Sequence, residues 1–112
     1  MDWKTELAEA SRNLDAFRDA HPGVAKGFSS LHHGGMKKGG LSEKEKELMA
    51  LAIGIARQCV DCIGFHTRAA IKAGADRDEI VETIGVSVVM GGGPAFMYGV
   101  KALEAFEQFD DD

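Results

Sequence analysis

Hydrophobic residues recur at helical spacing along most of the chain. The first such segment predicts an amphipathic helix whose apolar face consists of Trp3, Leu7, Leu14 and Phe17. A short second helix is predicted in "HPGVAKGFSSLHH", where Pro22 lies in the first turn. The glycine-rich stretch from Gly34 to Gly40 then predicts a flexible, basic loop.

The third and fourth helices have clear sequence signals. Ser42 and Glu45 form the pattern of a capping box, in which each side chain satisfies a free backbone N–H at the helix start. The following "LMALAIGIA" is apolar on every side, so this helix is expected to be buried on most faces and to end near Ala56. A fourth helix is predicted to begin near Cys59 and to run to Lys72.

Two further helices complete the chain. Asp76 and Glu79 form a second capping box, which opens a fifth helix containing "EIVETIGVSVVM". The "GGGP" of residues 91–94 breaks the apolar pattern, and Pro94 starts a sixth helix. The chain is therefore predicted to be all-α, with about six helices in a single domain over residues 1–112.

Composition and charge narrow the possible partners. The net charge is −5 and no basic run exceeds the pair Lys37-Lys38, so no nucleic-acid-binding face is expected. The uncharged stretch from Thr83 to Val100 contains "GGGP", so buried helices are expected rather than a membrane span. The acidic start "MDWKTELAEA" is unlike a signal peptide, which makes the cytoplasm the expected location. Short helices with this much apolar surface predict a homo-oligomer.

Both cysteines lie in "ARQCVDCIGFHTRAA", as a CxxC pair. On a helix, Cys59, Cys62 and His66 share one face, because they are three and four positions apart. The positive end of the helix and a nearby imidazole both favour the thiolate. In a reducing compartment such a pair is expected to be catalytic or metal-binding rather than structural. One thiol can attack an oxidant while the other resolves the product as a disulfide.

Glu47 is expected to complete this site. If the third helix ends near Ala56 and the fourth returns antiparallel, Glu47 and His66 lie about 4–5 Å apart along the helix axis. Glu47 also falls on the stripe of Leu51 and Gly54, which is predicted to face the interior. A carboxylate in that position would orient the imidazole and raise its basicity.

Metal binding is the main alternative that the residues leave open. Cys59, Cys62 and His66 could supply three zinc ligands, and His32 or His33 the fourth. The protein would then be a zinc-stabilised helical module that catalyses no reaction. A scaffold oligomer without catalysis is a further alternative. Structural zinc is more typical of small loop-rich modules, so the joint spacing favours redox chemistry, with neither a metal nor a cofactor expected.

The string Glu47–x11–Cys59–x2–Cys62–x3–His66 resembles the core motif of the AhpD-like proteins, in the carboxymuconolactone decarboxylase superfamily. The resemblance covers the region from Leu41 to Gly99. It implies a helical bundle in which a central helix hairpin carries the CxxC pair. It also implies assembly into trimers or hexamers.

The resemblance further implies a thiol-dependent peroxidase or thiol–disulfide oxidoreductase. Cys62 would be the peroxidatic thiol and Cys59 the resolving thiol, while Glu47 and His66 would form the proton relay. A hydroperoxide is the implied substrate, and an external dithiol or a lipoylated protein the implied reductant. Carboxymuconolactone decarboxylase activity is the alternative that the resemblance implies. It is the less expected of the two, because the decarboxylase branch typically lacks the CxxC pair. AhpD has a histidine where this chain has Asp61, and an acid there opposes thiolate formation.

Overall fold

The computed structural model describes residues 1–110, and the regular structure within them is helical. The helices are, in order, α1 (Trp3–Ala20), α2 (Pro22–Met36), α3 (Glu43–Ala56), α4 (Val60–Lys72) and α5 (Arg77–Phe109). The all-α prediction is confirmed. The expected count of six differs from the five observed, because the last two predicted helices join into α5. Gly92, with φ 70° and ψ −154°, keeps the expected break as a kink.

Both predicted capping boxes are confirmed. At the start of α3, Ser42 Oγ accepts from the Glu45 N–H (3.1 Å), and the Glu45 carboxylate accepts from the Ser42 N–H (2.9 Å). Asp76 and Glu79 make the same pair of bonds at the start of α5 (2.9 and 3.0 Å). Lys44 of α3 also pairs with Glu79 (2.8 Å), which ties the starts of the two helices together.

A tight turn, Arg57 to Cys59, joins α3 to α4. The Gln58 N–H donates to the Ile55 carbonyl and the Cys59 N–H to the Gly54 carbonyl, both at 3.0 Å, which is the bonding pattern of a Schellman motif. Gln58 has φ 59°, a left-handed conformation that glycine occupies more readily. Cys59 therefore closes the cap of α3 and is also the N-cap residue of α4.

The core lies where α3, α4 and α5 pack against one another, and α1 contacts both α4 and α5. Its larger buried side chains are Trp3, Leu7, Leu51, Ile55, Ile63, Ile80, Phe106 and Phe109. Full burial of one such side chain contributes about 1.5–3 kcal/mol, so this cluster is the main source of stability. The Trp3 indole N–H also donates to Glu104 at 2.8 Å, which fixes α1 to the last turns of α5.

The outer surface of the single chain carries apolar side chains on helix faces that the sequence pattern predicts to be buried. Leu14 and Phe17, expected on the buried face of α1, are 43% and 52% exposed, and α2 has no buried residue. On α3, Met49 and Ile53 are 49% and 60% exposed. The expectation that α3 is buried on most faces is therefore wrong for the single chain. The physical reason is that no other helix of residues 1–110 covers the outer faces of α3 and α5.

α2 extends further than the sequence predicts. It ends at Met36, so Gly34 and Gly35 are helical and the connecting loop begins only after them. The Lys46 ammonium of α3 donates to the carbonyl oxygens of Gly35 (3.1 Å) and Lys37. A cation at the C-terminal end of a helix satisfies free carbonyls and offsets the dipole, which compensates for the low helix propensity of the glycines.

α5 is the one described helix with the length and apolar composition of a membrane span. Gly92 and Pro94 interrupt it. Within the uncharged stretch from Thr83 to Val100 the buried residues are Ser87, Ala95 and Gly99, so the expectation of buried helices there is wrong for the single chain. Core helices of soluble proteins often have the same length and composition. A single helix of this kind is therefore weak evidence for a membrane location.

α1 approaches α4 closely because Gly64 has no side chain. A methyl group at this position would lie 2.8 Å from both the Trp3 ring and the Leu7 side chain, which is closer than carbon atoms pack. Glu6 lies between Trp3 and Leu7 on the approaching turn of α1. Asp61 lies one turn before Gly64 on α4, so the same close approach brings the two acids together.

Glu6 and Asp61 form a carboxyl pair at this contact. A hydrogen bond with Asp61, and then the negative charge of that carboxylate, raise the pKa of Glu6 above its ordinary value of 4.5. Asp61 Oδ1 is buried, and within residues 1–110 no N–H or hydroxyl donates to it. Because a carboxylate has no proton to donate, the two groups can be hydrogen-bonded only while one of them is protonated.

We predict that Glu6→Gln stabilises the fold by an amount that grows with pH. The folded-state pKa of Glu6 is raised. The stability that protonated Glu6 adds to the fold is therefore fully present below about pH 4.5, and it is lost as the pH rises through the folded-state pKa. A glutamine amide can still donate to Asp61 and carries no charge, so the variant escapes that loss. The melting temperatures of both proteins across this pH range measure the difference.

Asp19→Asn, which removes an exposed acid from the other end of α1, is the matched control for removing an acid. A difference in melting temperature between Glu6→Gln and wild type that does not change with pH would contradict the shared proton.

Candidate active site

The two cysteines lie at the N-terminal end of α4, where a disulfide joins them at an S–S distance of 2.07 Å. Cys59 is the N-cap residue, and its sulfur accepts a hydrogen bond from the Cys62 backbone N–H (3.3 Å). The helix N-terminus carries partial positive charge, which favours negative charge on a sulfur at this end of α4 in the reduced protein. This end of α4 is suited to a sulfur that alternates between disulfide and thiolate.

Gly54 of α3 sets the position of Cys62. A Cβ at residue 54 would lie 3.2 Å from the Cys62 Cβ and 3.7 Å from its carbonyl carbon. Without that methyl group, the first turn of α4 lies directly against α3. Cys62 is partly buried there.

Glu47 and His66 meet across the α3–α4 hairpin. The His66 Nδ1 lies 3.1 Å from Glu47 Oε2, and the two side chains are 23% and 13% exposed, respectively. A carboxylate only accepts hydrogen bonds, so Nδ1 is the donor in this contact. Glu47 thus fixes the orientation of the imidazole and leaves Nε2 available to exchange a proton.

The structure places the acid–imidazole pair and the disulfide on one hairpin. His66 follows Cys62 by one helical turn on the same side of α4. Asp61 lies between the cysteines in sequence, and its carboxyl group points toward α1, where it meets Glu6. The hairpin therefore holds two sulfurs, one imidazole and one carboxylate. This arrangement is suited to sulfur chemistry that is coupled to proton transfer.

A second imidazole lies beside His66. The His32 ring of α2 is stacked on the His66 ring, with centroids 6.4 Å apart and an interplanar angle of 19°. From the sequence, His32 is distinguishable only as a candidate zinc ligand. Its contact with His66 depends on how α2 docks against α3, which no local pattern in the sequence reveals.

A cleft of about 660 Å³ opens beside these side chains. Glu47 and His32 lie in its wall, and three lysines contribute to its lining, Lys37, Lys38 and Lys72. Glu43 is the other acid in this lining. Glu47 is therefore open to solvent through a cleft with more positive than negative side chains, in a chain whose net charge is −5.

The arrangement required for the zinc alternative is not found. Among the described residues, no three His, Cys, Asp or Glu side chains are placed to hold a metal ion. The sulfurs of Cys59 and Cys62 are bonded to each other, and His33 is exposed.

The sequence profile of the carboxymuconolactone decarboxylase family matches residues 22–105. An uncharacterized protein of Cupriavidus necator is 36% identical over 106 residues, which cover 95% of this chain and 94% of that protein. An uncharacterized protein of the cox locus of Paracoccus denitrificans is 30% identical over 104 residues, which cover 93% of this chain and 94% of that protein.

Solved structures share the fold. A carboxymuconolactone decarboxylase family protein of Legionella pneumophila matches with a TM-score of 0.93 at 45% identity, over 96% of each chain. A family member from Thermotoga maritima, for which involvement in the antioxidative response has been suggested, matches with a TM-score of 0.85 at 28% identity, over 95% of this chain and 91% of its own. The chain belongs to the carboxymuconolactone decarboxylase family, as an AhpD-like member with a CxxC pair.

Proposed function

We propose that the protein is a thiol–disulfide oxidoreductase that reduces organic hydroperoxides, with Cys59 and Cys62 as its redox pair. The observation that carries the proposal is the disulfide at the start of α4, one turn from the Glu47–His66 contact. One hairpin thereby supplies a thiolate, a resolving thiol and a proton acceptor. The suggested antioxidative role of the Thermotoga relative gives further support.

The oxidative half of the cycle consumes both thiols. His66, oriented by Glu47, takes the Cys62 proton, and the thiolate attacks the outer oxygen of the hydroperoxide ROOH. The O–O bond breaks, Cys62 becomes a sulfenic acid, and the alkoxide takes the proton from His66 and leaves as ROH. The Cys59 thiol then condenses with the sulfenic acid. The S–S bond forms, and the Cys59 proton leaves with the hydroxyl group as water.

The reductive half needs an external dithiol, such as a small dithiol or a lipoylated protein. Its thiolate is expected to attack the Cys62 sulfur, because the departing Cys59 thiolate is stabilised at the N-cap. The second thiol of the reductant then displaces Cys62 and closes its own disulfide. Two electrons pass to the protein, and the two protons that the reductant releases replace those lost as ROH and water.

This cycle fits a cytoplasmic location, since a dithiol that must be re-reduced works where other thiols are kept reduced. It proceeds through sulfur and protons alone, so no metal or organic cofactor is assigned to it. The decarboxylase activity that gives the family its name is the alternative, but it would leave the disulfide without a role.

We expect reduced wild-type protein to convert both thiols into the Cys59–Cys62 disulfide when one equivalent of cumene hydroperoxide is added. Glu47→Gln and His66→Ala should slow this conversion about 100-fold or more, since general acid–base assistance contributes about 10²–10⁴-fold. Rapid quenching with an alkylating reagent, followed by peptide mapping, measures the rate. His21→Asn removes a histidine outside the cleft, keeps a side chain that can cap α2, and is the matched control.

Single-cysteine variants in the same experiment separate the two thiol roles. Cys59→Ser should stop at the Cys62 sulfenic acid, which dimedone traps, whereas Cys62→Ser should react no faster than an ordinary free cysteine. The opposite pattern would reverse the two roles. Wild-type protein that reacts no faster than a free cysteine would disprove the peroxidase function.

We also propose that the protein assembles with copies of itself through the outer face of α3 and α5. Ser87 Oγ of α5 donates to the Ala52 carbonyl of α3 (3.4 Å), so the two helices run side by side at this point. Neighbouring outward side chains are apolar and 60–82% exposed, namely Ile53, Val86, Val89 and Met90. A contiguous apolar patch on a small chain is typical of an interaction surface, and identical subunits in closed symmetry are the commonest assembly. A trimer or hexamer is the size that the family resemblance implies.

Val89→Glu is expected to break this assembly without unfolding the subunit. Val89 is 82% exposed in the single chain, and glutamate has the higher helix propensity, so the monomer loses no packing. Light scattering coupled to size-exclusion chromatography should show a smaller particle than wild type. Ala8→Glu, which adds the same charge to an exposed position of α1, is the control. An unchanged mass for Val89→Glu would place the interface elsewhere.

A further inference from the structure

His32 occupies a defined place between His66 and solvent. Its ring lies on the His66 ring and also contacts Phe28, one turn earlier on α2, with centroids 6.3 Å apart. Unlike His66, which is mostly buried, His32 is exposed and lines the cleft. The two imidazoles therefore form a short path from the hairpin to water.

Lys46 of α3 maintains this path although α2 has no buried residue. Its ammonium holds the end of α2 through the carbonyl oxygens of Gly35 and Lys37. The next residue, Glu47, holds His66. Two consecutive residues of α3 thus position both imidazoles. Lys46 positions His32 indirectly, by hydrogen bonds to the end of α2, and Glu47 positions His66 by a direct hydrogen bond.

The chemistry at the dithiol requires protons from solvent. Reduction of ROOH to ROH and water consumes two electrons and two protons per turnover, and the reductant releases its own protons into solution. The Nδ1 of His66 is hydrogen-bonded to Glu47, so only the Nε2 of His66 can exchange protons. A neutral imidazole accepts a proton at one nitrogen and donates from the other, so a second imidazole beside His66 can pass a proton on.

We propose that His32 carries protons between the cleft and His66, and so serves in this chain as the second imidazole of the relay. The inference rests on the proposed function and extends it to a residue outside the motif. Where AhpD has a histidine before the second cysteine, this chain has Asp61, which is turned toward Glu6. The cleft brings Lys37, Lys38, Lys72 and Glu43 near the path, and Glu47 is the acid that contacts it. His32 touches no reacting atom and acts through His66.

The test is steady-state reduction of cumene hydroperoxide, with dithiothreitol as reductant, at low buffer concentration. His32→Ala should lower kcat at least about tenfold, while KM for the hydroperoxide stays within about twofold. Free imidazole added to the assay should restore kcat, because it supplies the missing proton carrier. His21→Asn removes an imidazole at the other end of α2, outside the cleft, keeps a side chain that can cap the helix, and should behave as wild type.

His32→Phe separates proton transfer from stacking, because phenylalanine keeps a ring against His66 but carries no proton. It should be as slow as His32→Ala. Wild-type kcat in His32→Phe, or no response of His32→Ala to imidazole, would overturn the inference while leaving the proposed function intact. If wild type itself shows no turnover, the proposed function fails, and this inference fails with it.

Discussion

The turn between α3 and α4 is the constraint on which the site depends. It reverses the chain within Arg57 to Cys59, at the cost of a left-handed conformation at Gln58. Each additional residue in a helix would shift the register by about 1.5 Å and rotate side chains by about 100°. An extra residue in either helix, between the turn and the pair, would therefore separate Glu47 from His66. The same turn makes Cys59 the N-cap residue of α4, so one local structure sets both the electrostatics of the sulfurs and the proton acceptor beside them.

Charge around the dithiol is balanced between opposing groups. The N-terminus of α4 favours a thiolate, whereas Asp61 in its first turn disfavours one. Glu6 adds a second acid, and its raised pKa means that folding holds a proton on the pair over a wider pH range than an isolated carboxyl group would. Three lysines also line the cleft that contains Glu47.

The sequence predicts those parts of the structure that depend on local rules. The capping boxes at Ser42 and Asp76 fix two helix starts, and the constant rise of a helix is enough to bring Glu47 near His66. What escapes prediction depends on tertiary packing. The stacking of His32 on His66 follows from the docking of α2, and the meeting of Glu6 with Asp61 follows from the missing side chain at position 64. The exposure of Met49 and Ile53 is also a tertiary property, because periodicity shows which face is apolar but not what covers it.

The reduction potential of the Cys59–Cys62 disulfide tests the central claim most directly. Equilibration of the protein with dithiol–disulfide buffers of known potential, followed by counting of free thiols, gives its midpoint. A cycling redox centre whose leaving thiolate is stabilised at a helix N-terminus should have a midpoint between about −120 and −270 mV, the range of thiol–disulfide oxidoreductases. A midpoint below about −300 mV, typical of structural disulfides, would show that the bond is a permanent cross-link and would contradict the account.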